Sequence, residues 1–201
     1  MPKTLSEGER AYIAERLKTE AKACLATYGI RKTTIDELVK RVGIPKGTFY
    51  LFYESKERLL FDVIMEFDKE AQTQMLKDVS ALPGGPDVES FTDIILRFYR
   101  QVDQSFLPRL IQNGELEYFM RTVPPELSRQ HAERDREAMR QMIASFPNMK
   151  EERVAEFTAA FRGVFLTLLF KDEIGEEKYE DALRILVRGV ALQLLDERCG
   201  A

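Results

Sequence analysis

The sequence predicts an all-α protein of about nine helices. Apolar residues recur at three- and four-residue steps through most of the 201 residues. No stretch alternates with the two-residue period of a strand. Glycine and proline gather between the periodic segments rather than inside them. The composition, 44% hydrophobic and 32% charged, is that of a globular chain with enough apolar side chains for one large domain or two sharing a core.

The elements follow in order. Ser6 and Glu9 have the spacing of a capping box, so the first helix starts at Glu7. Ile13, Leu17, Ala21, Cys24, Leu25 and Tyr28 mark one face of it, and Gly29 ends it. Thr34 and Glu37 form a second capping box. Ile35, Leu38, Val39 and Val42 give the next helix its apolar stripe, and Gly43 supplies the left-handed turn that stops it. Pro45 suits the first turn of a third helix spanning Lys46 to Tyr53. Ser55 caps a fourth, apolar on one face from Leu59 to Met75 and running to about Val79. Two short helices across a tight turn, closed by a first, form a minimal helix-turn-helix headpiece. The fourth helix is too long to serve that headpiece alone.

At these residues the sequence resembles the TetR family of bacterial transcriptional regulators. The resemblance rests on Gly29, Thr33, the helix Ile35 to Val42, the turn Gly43-Ile44-Pro45, Lys46-Gly47-Thr48-Phe49-Tyr50 and Ser55-Lys56-Glu57. It covers about residues 10 to 64. Pro45 departs from it, standing where the family usually has a capping serine. The expected division is a DNA-binding domain at 1–54 and a helical effector-binding and dimerisation domain at 55–201.

A helix-turn-helix inserts its second helix into the major groove. Lys46 is then the first long donor, suited to guanine or to a phosphate. Gly47 allows close backbone approach, and Thr48 suits a base edge or a thymine methyl. Thr33 and Thr34 sit at a helix N-terminus, which favours a phosphate. Tyr50 and Lys56 resemble the family's phosphate-contacting tyrosine and lysine. With Pro45 these are the expected DNA-binding residues. Charge agrees in direction: residues 1–58 carry twelve Lys/Arg against eight Asp/Glu, while the remainder carries eighteen against twenty-six.

Leu82-Pro83-Gly84-Gly85-Pro86 is the clearest break in the chain. Asp87 or Ser90 caps a helix ending near Pro108. Short helical pieces follow to Asn113-Gly114 and from Leu116 to Arg121. Pro124-Pro125 opens a long helix to about Phe146, and Pro147-Asn148 closes it. The last two helices run from about Glu151 to Lys171 and from Glu177 to Glu197. Both are apolar over more than one face, and each holds a mid-helix glycine, Gly163 and Gly189. A four-helix bundle between two copies accounts for this, the alternative being a wholly intramolecular core. The expected interface is Phe157, Phe161, Val164 and Leu168 with Leu183, Leu186, Val187, Val190 and Leu194. The resemblance implies the same homodimer.

In the resembled family the larger domain encloses a small-molecule pocket. Its expected lining here is Phe98, Tyr99, Phe106, Arg109, Tyr118, Phe119, Met142, Phe161 and Arg162. His131 reads as a hydrogen-bonded core or interface histidine. The resemblance implies a repressor that binds a near-palindromic operator in double-stranded DNA and is released by a small hydrophobic effector. The rival is a DNA-binding protein of the same fold that holds no small molecule and acts through a protein partner or as an architectural factor. The chain holds one histidine, and the sequence shows no Ser/His/Asp set around it. No phosphate-cradling glycine loop or local metal-ligand spacing appears, and no enzyme activity, cofactor or metal is expected. Cys24 and Cys199 are too isolated for a disulfide framework. No apolar run approaches the ~18 residues of a membrane span, and no signal-peptide core follows the N-terminus, so a cytoplasmic protein is expected.

Overall fold

The computed structural model describes residues 5–144 and 151–195, and every regular element among them is helical. Phe146, the Pro147-Asn148 break and Cys199 lie outside the described residues. The helices are α1 (Glu7–Lys32), α2 (Ile35–Val42), α3 (Lys46–Phe49), α4 (Lys56–Ser80), α5 (Val88–Asp103) and α6 (Leu107–Gln112). They continue as α7 (Glu115–Thr122), α8 (Pro125–Ala144), α9 (Glu151–Leu166), α10 (Lys171–Ile174) and α11 (Tyr179–Leu195). No described helix is long and apolar enough to cross a membrane.

The chain divides into two compact units. One comprises residues 1–67 with 109–128, and the other comprises 68–108 with 129–201. The sequence break expected after residue 54 therefore falls inside the first unit. That unit also takes in the start of α4 and both α6 and α7.

The first unit is built from α1 outward. The Ser6–Glu9 capping box is complete: Ser6 N–H donates to the Glu9 carboxylate and Glu9 N–H to the Ser6 hydroxyl. Leu17, Ala21, Cys24 and Leu25 of α1 are fully buried with Leu38, Phe49, Leu59 and Leu60 from the next three helices. Only half of the second expected capping box forms. Thr34 accepts from Glu37 N–H at 3.2 Å, but the Glu37 carboxylate turns to Arg41 Nε at 2.7 Å. The guanidinium a turn away is a stronger partner than a backbone N–H open to water.

The second unit is organised on α5, along which α11 runs antiparallel. Arg188 pairs with Glu89 at 2.6 Å, Arg184 with Asp93 at 2.8 Å and Arg100 with Glu180 at 3.0 Å. Asp87 caps α5 through the N–H groups of Glu89 and Ser90. Residues 151–171, expected as one helix, tighten into a 3₁₀ turn at Thr167–Phe170. Thr167 Oγ1 donates back to Val164 O at 2.7 Å and meets the Tyr179 hydroxyl at 3.0 Å. Such back-bonding bends a helix end.

The last two helices place the expected dimer residues mostly in this unit's own core. Phe157, Phe161, Val164, Leu168, Leu183, Val187 and Leu194 are all buried within the single chain. Val190 is half-buried, and Leu186 is exposed. The opposite stripe carries apolar groups in the open: Leu166 and Phe170 from the α9 side, Ile185 and Leu192 on α11. Gly163 and Gly189 lie on this outer side, and a Cβ added to either meets nothing within 4 Å. Amphipathic periodicity marks a buried stripe without saying whether the cover is the same chain or a second one.

Candidate nucleic-acid interface and effector cavity

α3 is short and opens on Pro45, which occupies the N-cap position with φ −62° and ψ 148° and gives no side-chain cap. Proline is thus one position earlier than expected, and the α-helix ends at Phe49 instead of Tyr53. Phe52 and Tyr53 continue as turns through N–H bonds to Phe49 O. Phe49 is fully buried and Tyr53 nearly so, which fixes this segment on the headpiece. Its far side is open. Pro45, Lys46 and Gly47 are exposed, Tyr50 is 51% exposed and Thr48 is half-buried. Leu51 is also exposed, at 59%, and the sequence reading gave it no role.

Not every expected contact is free for DNA. Lys46 Nζ pairs with Asp36 at 2.9 Å, an exposed pair that a phosphate or base can displace at little cost. Thr34 is exposed at the cap of α2. Thr33 is fully buried and donates to Gly29 O at 2.6 Å, so it holds the backbone and presents nothing outward. Lys56 Nζ donates to Ile30 O at 3.2 Å, which commits it in part to the protein.

The segment just before α2 is held from several sides. Gly29 interrupts α1 with φ 78° and ψ −175°. The break frees the N–H groups of Ile30 and Arg31, and both donate to Glu115 Oε2 of α7, at 2.5 and 3.3 Å. Arg109 of α6 donates to the carbonyls of Ala26 and Thr27 at 2.8 and 2.7 Å. Arg31 lies 5.3 Å from the ring centre of Tyr118. Three residues expected in the pocket are thereby placed elsewhere. Arg109 caps α1, Tyr118 is exposed beneath Arg31, and Phe119 is buried in the first unit.

The second unit contains a cavity of about 440 Å³, a volume in the range of small-molecule sites. Phe98, Tyr99, Met142, Phe161 and Arg162 line it as expected; Phe106 does not and is core. Met75, Ile95 and Phe165 extend its apolar wall, and Gln72, Asp135, Arg136 and Thr158 add polar groups. The Tyr99 hydroxyl, raised well above its ordinary pKa by burial, donates to Phe161 O at 2.9 Å and is already satisfied. Arg136 and Arg162 are exposed and form no ion pair among the described residues.

Beside this wall, Gln72 Nε2 bridges Asp68 Oδ2 at 3.0 Å and Asp135 Oδ1 at 2.9 Å. His131 stands between the same two carboxylates, Nδ1 3.7 Å from Asp68 and Nε2 3.4 Å from Asp135. Burial first, and then the charge of Asp135, push the Asp68 carboxyl up to about 7. An unfolded aspartate titrates near ~3.9, so the unfolded chain loses its proton first as pH rises. Stability held below about pH 4 is therefore lost progressively up to about pH 7. Asp68→Asn is expected to match the parent at pH 4 and exceed it by about 2 kcal/mol at pH 8. Urea titration in chelator-containing buffer checks this; equal stability at both pH values would refute it.

Comparison with known proteins adds to this geometry. Residues 19–63, the segment spanning most of α1 to the start of α4, match the family described as "Bacterial regulatory proteins, tetR family". The headpiece is of the TetR family. No curated protein matches the chain. Among solved structures, FadR from Bacillus subtilis in complex with stearoyl-CoA superposes with a TM-score of 0.64 at 17% identity, covering 90% of this chain and 97% of that one. AlkX from Dietzia, a TetR family repressor implicated in n-alkane biodegradation, gives 0.58 at 15%, covering 90% and 94%. The superantigen PfiT gives 0.65 at 18%, covering 93% and 97%. At such identities the whole-chain likeness establishes a shared fold, and one fold hosts several functions. The chain thus joins a TetR-type headpiece to the helical fold of TetR-family transcriptional regulators.

Proposed function

We propose that this chain is a ligand-responsive repressor that binds a near-palindromic operator as a homodimer and is released when an effector fills the second unit's cavity. The exposed side of α3 carries the reading. Lys46, Gly47 and Tyr50 face solvent while Phe49 locks the other side into the core. Thr48 completes the base-reading set, and Thr34 and Tyr50 hold phosphates. Lys56 and Thr33 position the backbone of that surface. No part of the reading needs a catalytic residue.

The cavity favours an anionic amphiphile. Met75, Ile95, Phe98, Met142, Phe161 and Phe165 form an apolar wall, and Arg136 and Arg162 offer two cations with no acidic partner among the described residues. A fatty acid or acyl thioester matches both halves. Stearoyl-CoA bound to FadR makes that class a reasonable choice. α4 runs without interruption from the headpiece into the cavity lining at Gln72 and Met75, and gives the effector a path to the DNA-reading unit.

The test begins by selecting the preferred site from a random DNA pool. A symmetric site is expected. Lys46→Ala should weaken binding to it by about tenfold and relax preference at one position per half-site. Palmitate and palmitoyl-CoA are then titrated against the complex, and release is expected. If neither ligand releases the complex, the effector class is wrong while operator binding stands. A protein with no site preference would sink the regulatory reading itself.

A further inference from the structure

Sequence spacing contains no metal-ligand motif, but the fold assembles a set of donors from distant positions. Asp68 comes from α4, and His131 and Asp135 come from one face of α8 at an i, i+4 spacing. One donor atom from each lies within 4.8 Å of the other two. We propose that Asp68, His131 and Asp135 bind a first-row divalent metal cation of the zinc type.

The donor chemistry decides the class. One imidazole and two carboxylates are a borderline set, which suits zinc and its neighbours better than magnesium or calcium, whose sites are built from oxygen alone. Three protein donors leave a tetrahedral ion one further position for water or a ligand atom. Bonds of about 2.0–2.2 Å place tetrahedral donors roughly 3.4 Å apart, so the set closes by little more than 1 Å. The three side chains are partly exposed and free to make that adjustment, with 22% of His131, 29% of Asp68 and 42% of Asp135 accessible. Gln72 donates one hydrogen bond to each carboxylate. An amide hydrogen-bonded to both carboxylates orients their ligating oxygens.

The arrangement also has a mechanical consequence. A bound cation ties α4 to α8, and Asp135 belongs to the wall of the effector cavity. Metal occupancy then biases the helix that reaches the headpiece, independently of whichever organic ligand the cavity takes.

The experiment uses the full chain without a histidine tag, dialysed against chelator and titrated with zinc sulfate against a chromophoric competitor. One zinc per chain is expected, with micromolar or tighter affinity. His131→Ala and the isosteric Asp68→Asn should each weaken it by on the order of 100-fold. Saturating zinc should raise the melting temperature by roughly 5–10 °C in the parent and leave Asp68→Asn unmoved. Helical circular dichroism establishes that each variant is folded. If His131→Ala fails to fold, Asp68→Asn carries the test alone. Cys199→Ser should bind as the parent does, and Cys24 is fully buried. Uptake that disappears in Cys199→Ser, uptake unchanged in Asp68→Asn, or no stoichiometric uptake at all would each overturn the proposal.

Discussion

Gly29→Ala is expected to destabilise the protein by about 3 kcal/mol, roughly 8 °C in melting temperature, and to weaken operator binding as well. Two separate effects combine at this residue. With φ 78° and ψ −175° it occupies a region that side-chain-bearing residues essentially do not adopt, at a cost of about 1–3 kcal/mol. The added Cβ would also sit 2.6 Å from Glu115 Oε2 and 2.8 Å from Oε1. The carboxylate must leave, and its bonds to Ile30 and Arg31 N–H leave with it. A double-mutant cycle separates the two effects. Glu115→Ala alone loses the hydrogen bonds and keeps the backbone relaxed. Combined with Gly29→Ala, it removes the collision, so the double variant should be less destabilised than the sum of the singles. Additive losses would show that Glu115 and Gly29 act independently, and a Gly29→Ala variant as stable as the parent would refute the strain itself.

Ile185→Glu should leave the fold intact and convert the protein from dimer to monomer, lowering operator affinity by on the order of 100-fold. Ile185 is 72% exposed, so a charge there disturbs nothing inside one chain. Val187→Glu, two residues on and fully buried, should instead unfold the second unit. The contrast distinguishes the outer stripe from the inner one. Gly163 and Gly189 sharpen the expectation. A mid-helix glycine costs about 1 kcal/mol against alanine, and no neighbour within the chain approaches either one. In the homodimer proposed above, close approach by a second copy would supply the compensating contact. Sedimentation equilibrium reads the outcome; a dimer unaffected by Ile185→Glu would remove this face from the interface.

What the sequence made legible was local. The Ser6–Glu9 box and the stop at Gly43 each depend on residues three or four apart and formed where spacing placed them, and of the two cap candidates for α5 Asp87 takes the position. The outward side of α3 was equally readable: Phe49 is buried and Tyr50 is exposed, as expected. Gly29 was recognised as a stop, yet the carboxylate that also crowds its Cβ position lies 86 positions later in the chain. Asp68 joins His131 only through packing of α4 and α8, so the sequence showed an unremarkable i, i+4 pair instead of three donors. The cavity was half legible for the same reason. Aromatic and methionine content pointed to Phe98, Tyr99, Met142 and Phe161, but composition could not tell that Phe119 and Tyr118 belong to another unit.

The ion pairs along α5 and α11 act chiefly on the alternatives to this fold. Taken singly, exposed pairs such as Arg100–Glu180 contribute about 0–1 kcal/mol. Their order along the helices carries more information than their strength. α5 presents acid, acid, base at Glu89, Asp93 and Arg100, and α11 answers with Arg188, Arg184 and Glu180. Reversing α11 would set Glu89 beside Glu180 and Arg100 beside Arg188. Residues 104–178 separate the two helices, and chain connectivity alone does not impose their direction. The charges work as a polarity key, penalising a misdirected bundle during folding more than they strengthen the finished one.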